Sequence, residues 1–379
     1  MTWAMPGCHP QTAFHGSAIH RFALPLGSVS WLVQIEAMTK RTVIRDIPDV
    51  LAAIPLTLGF QPVESVVMVA YRDDKSSFIA RADLLPTASQ QQTLAEYLIA
   101  AAINNGRTAV VLVYYTADAE LAEQHASKCA EVIAAEGLKL TTAIRVHDGH
   151  FFATQVSDPQ LAQQEPGGLP FDNASHPATL EAHFDGHVVR ESRADLAQSL
   201  KEYDQADARK IKLELRSRRR SQPLTEASRY ADARWLQHRL RSFAEDRRPL
   251  DVRDCAKVLD LITDIELRDI AWMAMKERSM VWMDFWLQMT RRSSQLRAND
   301  RKSAVALLAF ASWHAGDGAM AWCAVEHCLN LDRHYSMAHL ISDILMNAIP
   351  PDAWKASDDS IFEVFRNADP ADPSGASAS

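Results

Sequence analysis

The chain is poor in the features that usually name a function. It has five cysteines, Cys8, Cys129, Cys255, Cys323 and Cys328, an odd and scattered set in which no pair has the close spacing of a zinc knuckle. Reduced thiols are the simplest reading, and a disulfide scaffold is excluded. No run approaches the roughly 18 uninterrupted apolar residues of a membrane span, and the first residues lack a basic region followed by an apolar core. A cytoplasmic protein without a membrane partner is expected. There is no Gly-x-Ser-x-Gly elbow, no phosphate-cradling Gly-rich loop with lysine and no dinucleotide fingerprint. These gaps lower the expectation of catalysis, although a site assembled from distant residues needs no such motif. Positive charge is also short: a net charge of −8 argues against a general binder of phosphate backbones, while leaving room for a local basic site.

What is present fits an ordinary globular protein. A hydrophobic share of 47%, a charged share of 23% and aromatics at 8% are globular averages. A length of 379 residues suits two domains, each able to bury a core. Residues 1–40 hold prolines, glycines and apolar residues without a period, and are expected to be a flexible extension. Met38 opens MTKRTVIRDIPDV, which reads as an alternative start.

The stretch 46–86 concentrates local signals. Asp46 is placed to cap a helix with Pro48 in its first turn, Val50, Ile54 and Leu58 form its buried stripe, and Gly59 supplies a stop. Pro55 is expected to kink or end that helix. The apolar run 66–71 predicts a buried strand, followed by a polar turn at 73–77. Over 78–84, Phe78, Ala80, Ala82 and Leu84 alternate with Ile79, Arg81 and Asp83, so a β-hairpin is expected. Thr87 and Gln90 form a capping-box pattern for a helix that stops at Asn104-Asn105-Gly106. A central strand over 108–115, a helix over 117–136 and a strand over 138–146 come next. Asp148-Gly149 then favours a type I′ turn into a returning strand over 151–156. The order predicts a mixed sheet with helices on its faces, an α+β or α/β domain over 41–205.

The chain from 157 to 177 reads as a long surface connection, and Ser192 with Asp195 caps a further helix towards Tyr203. Between 209 and 220 seven basic residues meet the single acid Glu214, and 206–224 is read as a basic linker closed by Pro223. The region 225–355 shows helical periodicity throughout, with helices over 226–242, 252–261, 265–277, 280–292, 302–314, 318–329 and 336–348. Ala304 to Leu331 has the Gly316-Asp317 turn and the small packing residues Ala321 and Ala324 of a tetratricopeptide-like helix pair. An all-α, tetratricopeptide-like domain is therefore expected, and 356–379 reads as a disordered tail.

Taken together, LAAIPLTLGFQPVESVVMVAY, IARADL, RVHDGHFF, LRDIAWMAM and LLAFASWHAGDGAMAWCAVEHCLNLDRHYSMAHLISDIL with IPPDAW resemble a family of uncharacterised proteins from high-GC Gram-positive bacteria and their phages, domain of unknown function 4192. The resemblance runs over about 42–354 and implies continuity of fold, with no activity, cofactor or catalytic residue to carry over. Family members often have adjacent cysteines where this chain has Gln164-Glu165-Pro166-Gly167, and a proline where it has Arg333. The first departure removes the expectation of thiol or metal chemistry in that loop.

Candidate residues are few. Arg81 and Asp83 share a strand face and are placed to hold a polar ligand at the strand end, with His147 as a third candidate; the bland alternative is a charge-satisfied sheet face. His147, Asp148 and His150 would need a further ligand from His176, His183 or His187 to hold a metal, and a solvated turn explains them with less, so no metal and no cofactor are expected. Arg216, Arg218, Arg219 and Arg220 are the candidates for nucleic acid, against a solvated helix face. The leading expectation is a non-catalytic adaptor whose helical domain binds an unidentified protein partner. An enzyme acting on a small polar ligand between the two domains, and a nucleic-acid-associated protein using 209–220, are the alternatives.

Overall fold

The computed structural model describes residues 46–72, 77–157, 167–201, 204–218, 226–276 and 280–354. The expected extension 1–40 with the start at Met38, the tail 356–379, the turn residues 73–76, the Gln164 to Pro166 loop, and Arg219 and Arg220 lie outside the described residues.

Helix α1 (Ile47–Leu58) begins where the Asp46 carboxylate accepts from Asp49 N at 3.0 Å. It ends where Gly59, at φ 74°, donates to Pro55 O. Pro55, expected to kink or end the helix, does not end it: the helix runs on to Leu58. Proline removes the amide that would bond Leu51 O, and Asn173 Nδ2 supplies that donor instead at 3.2 Å. Strands β1 (Ser65–Tyr71) and β2 (Ser77–Asp83) form the expected antiparallel hairpin. Helix α2 (Ala88–Asn104) is capped by Thr87, strand β3 (Ala109–Tyr115) is buried throughout, and helix α3 (Ala119–Ala135) leads to β4 (Lys139–His147). Asp148 and Gly149 both take positive φ, 47° and 68°, as a type I′ turn requires, and return the chain into β5 (His150–Ala153). A short β6 (Leu169–Pro170) completes a mixed sheet of order β2-β1-β3-β4-β5-β6, in which β3 and β4 are parallel across α3.

The two faces of the sheet have different neighbours. Val66, Met68, Phe78, Ala80, Ala82, Val110 and Leu112 pack with Leu94, Leu98, Ala126 and Ile133 of α2 and α3. On the other face Val67, Val69, Ile79, Val113, Ile144 and Val146 join α1 in a hydrophobic cluster that continues without interruption into the C-terminal helices.

Those helices are α4 (Pro177–Phe184), α5 (Arg193–Ser199), α6 (Gln205–Arg218), α7 (Glu226–Asp246), α8 (Val252–Leu261), α9 (Ile265–Met273), α10 (Met280–Arg292), α11 (Ala298–Ala315), α12 (Gly318–Leu331) and α13 (Ser336–Met346). Helix α4 begins at Pro177, where the expected connection ends; it buries no residue and is tied down by His176 Nε2, 3.2 Å from Asp49. Most of the segment expected to be a basic linker is α6. Its charge masks an apolar stripe: Ala208, Ile211 and Leu215 recur at helical spacing and are buried against α8. Arg292 of α10 holds Asp207 at 2.6 Å. Gly316, at φ 90°, turns α11 into α12, and every residue over 303–315 is buried.

Candidate functional site

Alternation along β2 sends Ile79, Arg81 and Asp83 to the face shared with α1. Arg81 is opposite Val67, and Ser65 is flanked by Asp83 on β2 and Tyr115 on β3. Asp83, Ser65 and Tyr115 therefore form one polar row across three strands, with Arg81 one step behind it on the same face. Directly opposed residues in such a ladder bring their Cβ atoms to about 5 Å.

Arg81 is 6% exposed, pairs with Asp83 and donates to Val63 O at 3.2 Å. Burial lowers its pKa and raises that of Asp83, each more strongly than the partner's charge opposes. The chain enters this corner through Glu64 at φ 43°, a left-handed conformation uncommon outside glycine, with its carboxylate accepting from Thr116 Oγ1 at 2.8 Å.

A second segment is strapped over the end of the sheet. Arg190 N donates to Gly59 O at 2.8 Å and Gln61 N to Arg190 O at 2.9 Å. That contact delivers the start of α5, where the Ser192 hydroxyl accepts from Asp195 N at 3.2 Å and Arg193 takes the first helical position. Arg193 is held by Glu326 of α12 at 2.7 Å, and its charge is felt at Arg81. Phe60, Gln61, Val63, Arg81, Asp83, Ser192, Arg193 and Ala194 line a pocket of about 260 Å³. It is smaller than the pockets that take drug-sized ligands, and suits a molecule of a few heavy atoms.

The structure brings Arg81 and Asp83 together and places His147 elsewhere. His147 is exposed at the end of β4, one position on from Val146 and so on the opposite face, with β1 and β3 between it and β2. His150 turns its Nδ1 to Asp148 O at 2.8 Å, and His176 caps α4. Among the described residues no three His, Cys, Asp or Glu side chains are grouped to hold a metal. On α6, Arg216 is exposed and Arg218 lies 3.7 Å from Glu214.

Gln61, Ser192 and Arg193 line the pocket without having been among the candidates the sequence offered. For Arg193 a signal existed: a cation in the first turn opposes the helix dipole, a local conflict that asks for another reason. The partners of Ser65 depend on sheet register, which leaves no local trace.

A sequence model of one family, described as a domain of unknown function (DUF4192), matches residues 48–352. No curated protein matches the chain, and no solved structure does.

Proposed function

The chain belongs to that family, and because the family's description carries no activity, we propose from the site itself that the protein binds a small polar ligand in the pocket over Arg81 and Asp83. One observation carries this reading: a buried arginine and a partly exposed carboxylate on a largely apolar sheet face meet a second arginine, brought from α5, around a single pocket. Removing charged groups from water is costly, and a charge pair whose only task is to cover a sheet face belongs at the rim, not beneath a pocket. A bacterial cytoplasmic setting is part of the same proposal.

The adaptor reading has less support. The α11 and α12 pair keeps the turn and the small-residue spacing of a tetratricopeptide-like hairpin, and we retain that likeness as a proposal about shape. A helix lining a partner groove needs a face towards solvent, and burial over 303–315 leaves α11 little of one. For α6, the solvated side of an amphipathic helix accounts for Arg216 and Arg218 without nucleic acid.

A thermal-shift screen of the purified chain against small carboxylates, phosphates, amines and polyols tests the pocket. At least one class is expected to raise the melting temperature of the wild type, with the rise lost in Arg193→Gln and in Asp83→Asn. Shifts that persist in both variants, or none in the wild type, contradict the reading.

A further inference from the structure

Four buried polar atoms at this corner have no hydrogen-bond partner among the described residues: Arg81 Nε and Arg193 Nε, on residues that line the pocket, and Ser65 Oγ and Tyr115 Oη, on residues that follow Asp83 in the sheet ladder behind the lining. Ser65 is 0% exposed and Tyr115 9%. Native interiors rarely leave such groups unsatisfied; others occur elsewhere in the molecule, but here Arg81, Ser65 and Tyr115 share one end of one sheet face and Arg193 comes to it from α5. Every one of them can donate; the two hydroxyls can also accept, and the two guanidinium nitrogens only donate. The acceptors nearby are engaged elsewhere on the same side chains: Asp83 by Arg81 Nη1, Val63 O by Arg81 Nη2 and Glu326 by Arg193 Nη2.

A surplus of donors selects its ligand by what it lacks. An organic cation would add donors and meet two arginines; a neutral alcohol would satisfy one or two positions. Resting on the small-ligand reading, we propose that the ligand presents an oxyanion, a carboxylate or a phosphate group, and that Ser65 and Tyr115 bind it together with Arg81 and Arg193. An oxyanion offers several lone-pair positions to a planar guanidinium and to hydroxyls at once, in charge-assisted bonds. Ser65 lies directly beside Asp83 in the ladder, so the row Asp83, Ser65, Tyr115 leads inward from the pocket floor. Asp83 then orients Arg81 and faces the part of the ligand away from its charge.

Calorimetric titration of the full chain separates the possibilities, using sodium acetate and inorganic phosphate as oxyanions, methylammonium as a cation and acetamide as a neutral probe. Saturable binding of acetate or of phosphate is expected, and the tighter of the two names the source of the charge. Ser65→Ala and Tyr115→Phe are each expected to weaken it about tenfold, the worth of one hydrogen bond to a charged group. The unliganded variants should melt at or above the wild-type temperature, because each change removes a buried hydroxyl that has no partner. Binding of methylammonium or acetamide in preference to the anions, lost in Arg193→Gln, overturns the oxyanion assignment and leaves the pocket standing. Anion binding that Arg193→Gln abolishes but both hydroxyl variants preserve overturns the roles of Ser65 and Tyr115. Absence of binding by all four probes overturns both the oxyanion and the pocket.

Discussion

At Pro55 the missing amide is answered from 118 positions further along the chain, since Asn173 Nδ2 reaches Leu51 O. A single side chain so keeps a helix intact through a residue that ordinarily ends one, and no local rule could have announced it. Asn173→Ala is expected to lower stability in urea by about 1 kcal/mol, and to cost almost nothing once Pro55→Ala has restored the backbone donor. Equal costs in the two backgrounds would remove the compensation. The candidate site follows the same division. Alternation over 78–84 was enough to place Arg81 and Asp83 on one face, because strand period is local. Ser65, Tyr115 and Arg193 reach that face through strand register and through a strap between Gly59 and Arg190, both long-range. His147 shows the converse: hairpin residues are easy to see in the sequence, but parity within β4 turns this one to the other side.

Among the elements, α12 carries two opposed titrations. Burial raises Asp317, its N-cap, from 3.8 to about 6 against the amides of Met320 and Ala319. Burial, with Arg301 and Lys201 adding to it, lowers His327 from 6.5 to about 4. A raised carboxyl means that the folded state holds its proton more tightly, so the Asp317 contribution is fully present below about pH 4 and is lost as pH rises through 6. A lowered imidazole means the reverse, so the His327 contribution is present above 6.5 and is lost as pH falls towards 4. The two slopes oppose each other over nearly the same window. Relative to wild type, His327→Gln is expected to give a melting temperature that declines as pH rises across this window, and Asp317→Asn one that declines as pH falls. Parallel profiles for all three proteins, by differential scanning fluorimetry, would contradict the assignment. Helix α6 shows why an element can be missed: its charge count dominated the reading of 206–224, while the three residues that bury it are spaced too widely to stand out among seven cations.

Over the whole molecule, the hydrophobic cluster beneath the sheet runs from α1 through β1, β3 and β4 to α13. The described sheet and helices fall in one compact unit. One cooperative unfolding transition is therefore expected, with far-ultraviolet circular dichroism and tryptophan fluorescence coinciding in urea. Ile211→Ala, in α6, should shift that transition as a whole by about 2–4 kcal/mol. Two separated transitions, or a shift seen by one probe alone, would show the helical region unfolding independently. The sequence order of helices and strands was legible because caps, turns and periods are local; that both halves share a core was not, because it depends on which face of each element meets which.

The most direct test of the ligand pocket is a nuclear magnetic resonance titration of the labelled full chain with acetate and with inorganic phosphate, following the backbone amides of Gln61, Val63, Ser192 and Ala194. Saturable shifts centred on these four amides and absent from Arg193→Gln are the predicted result. Shifts that do not saturate, or that centre on α6 or α13 and persist in Arg193→Gln, would contradict it.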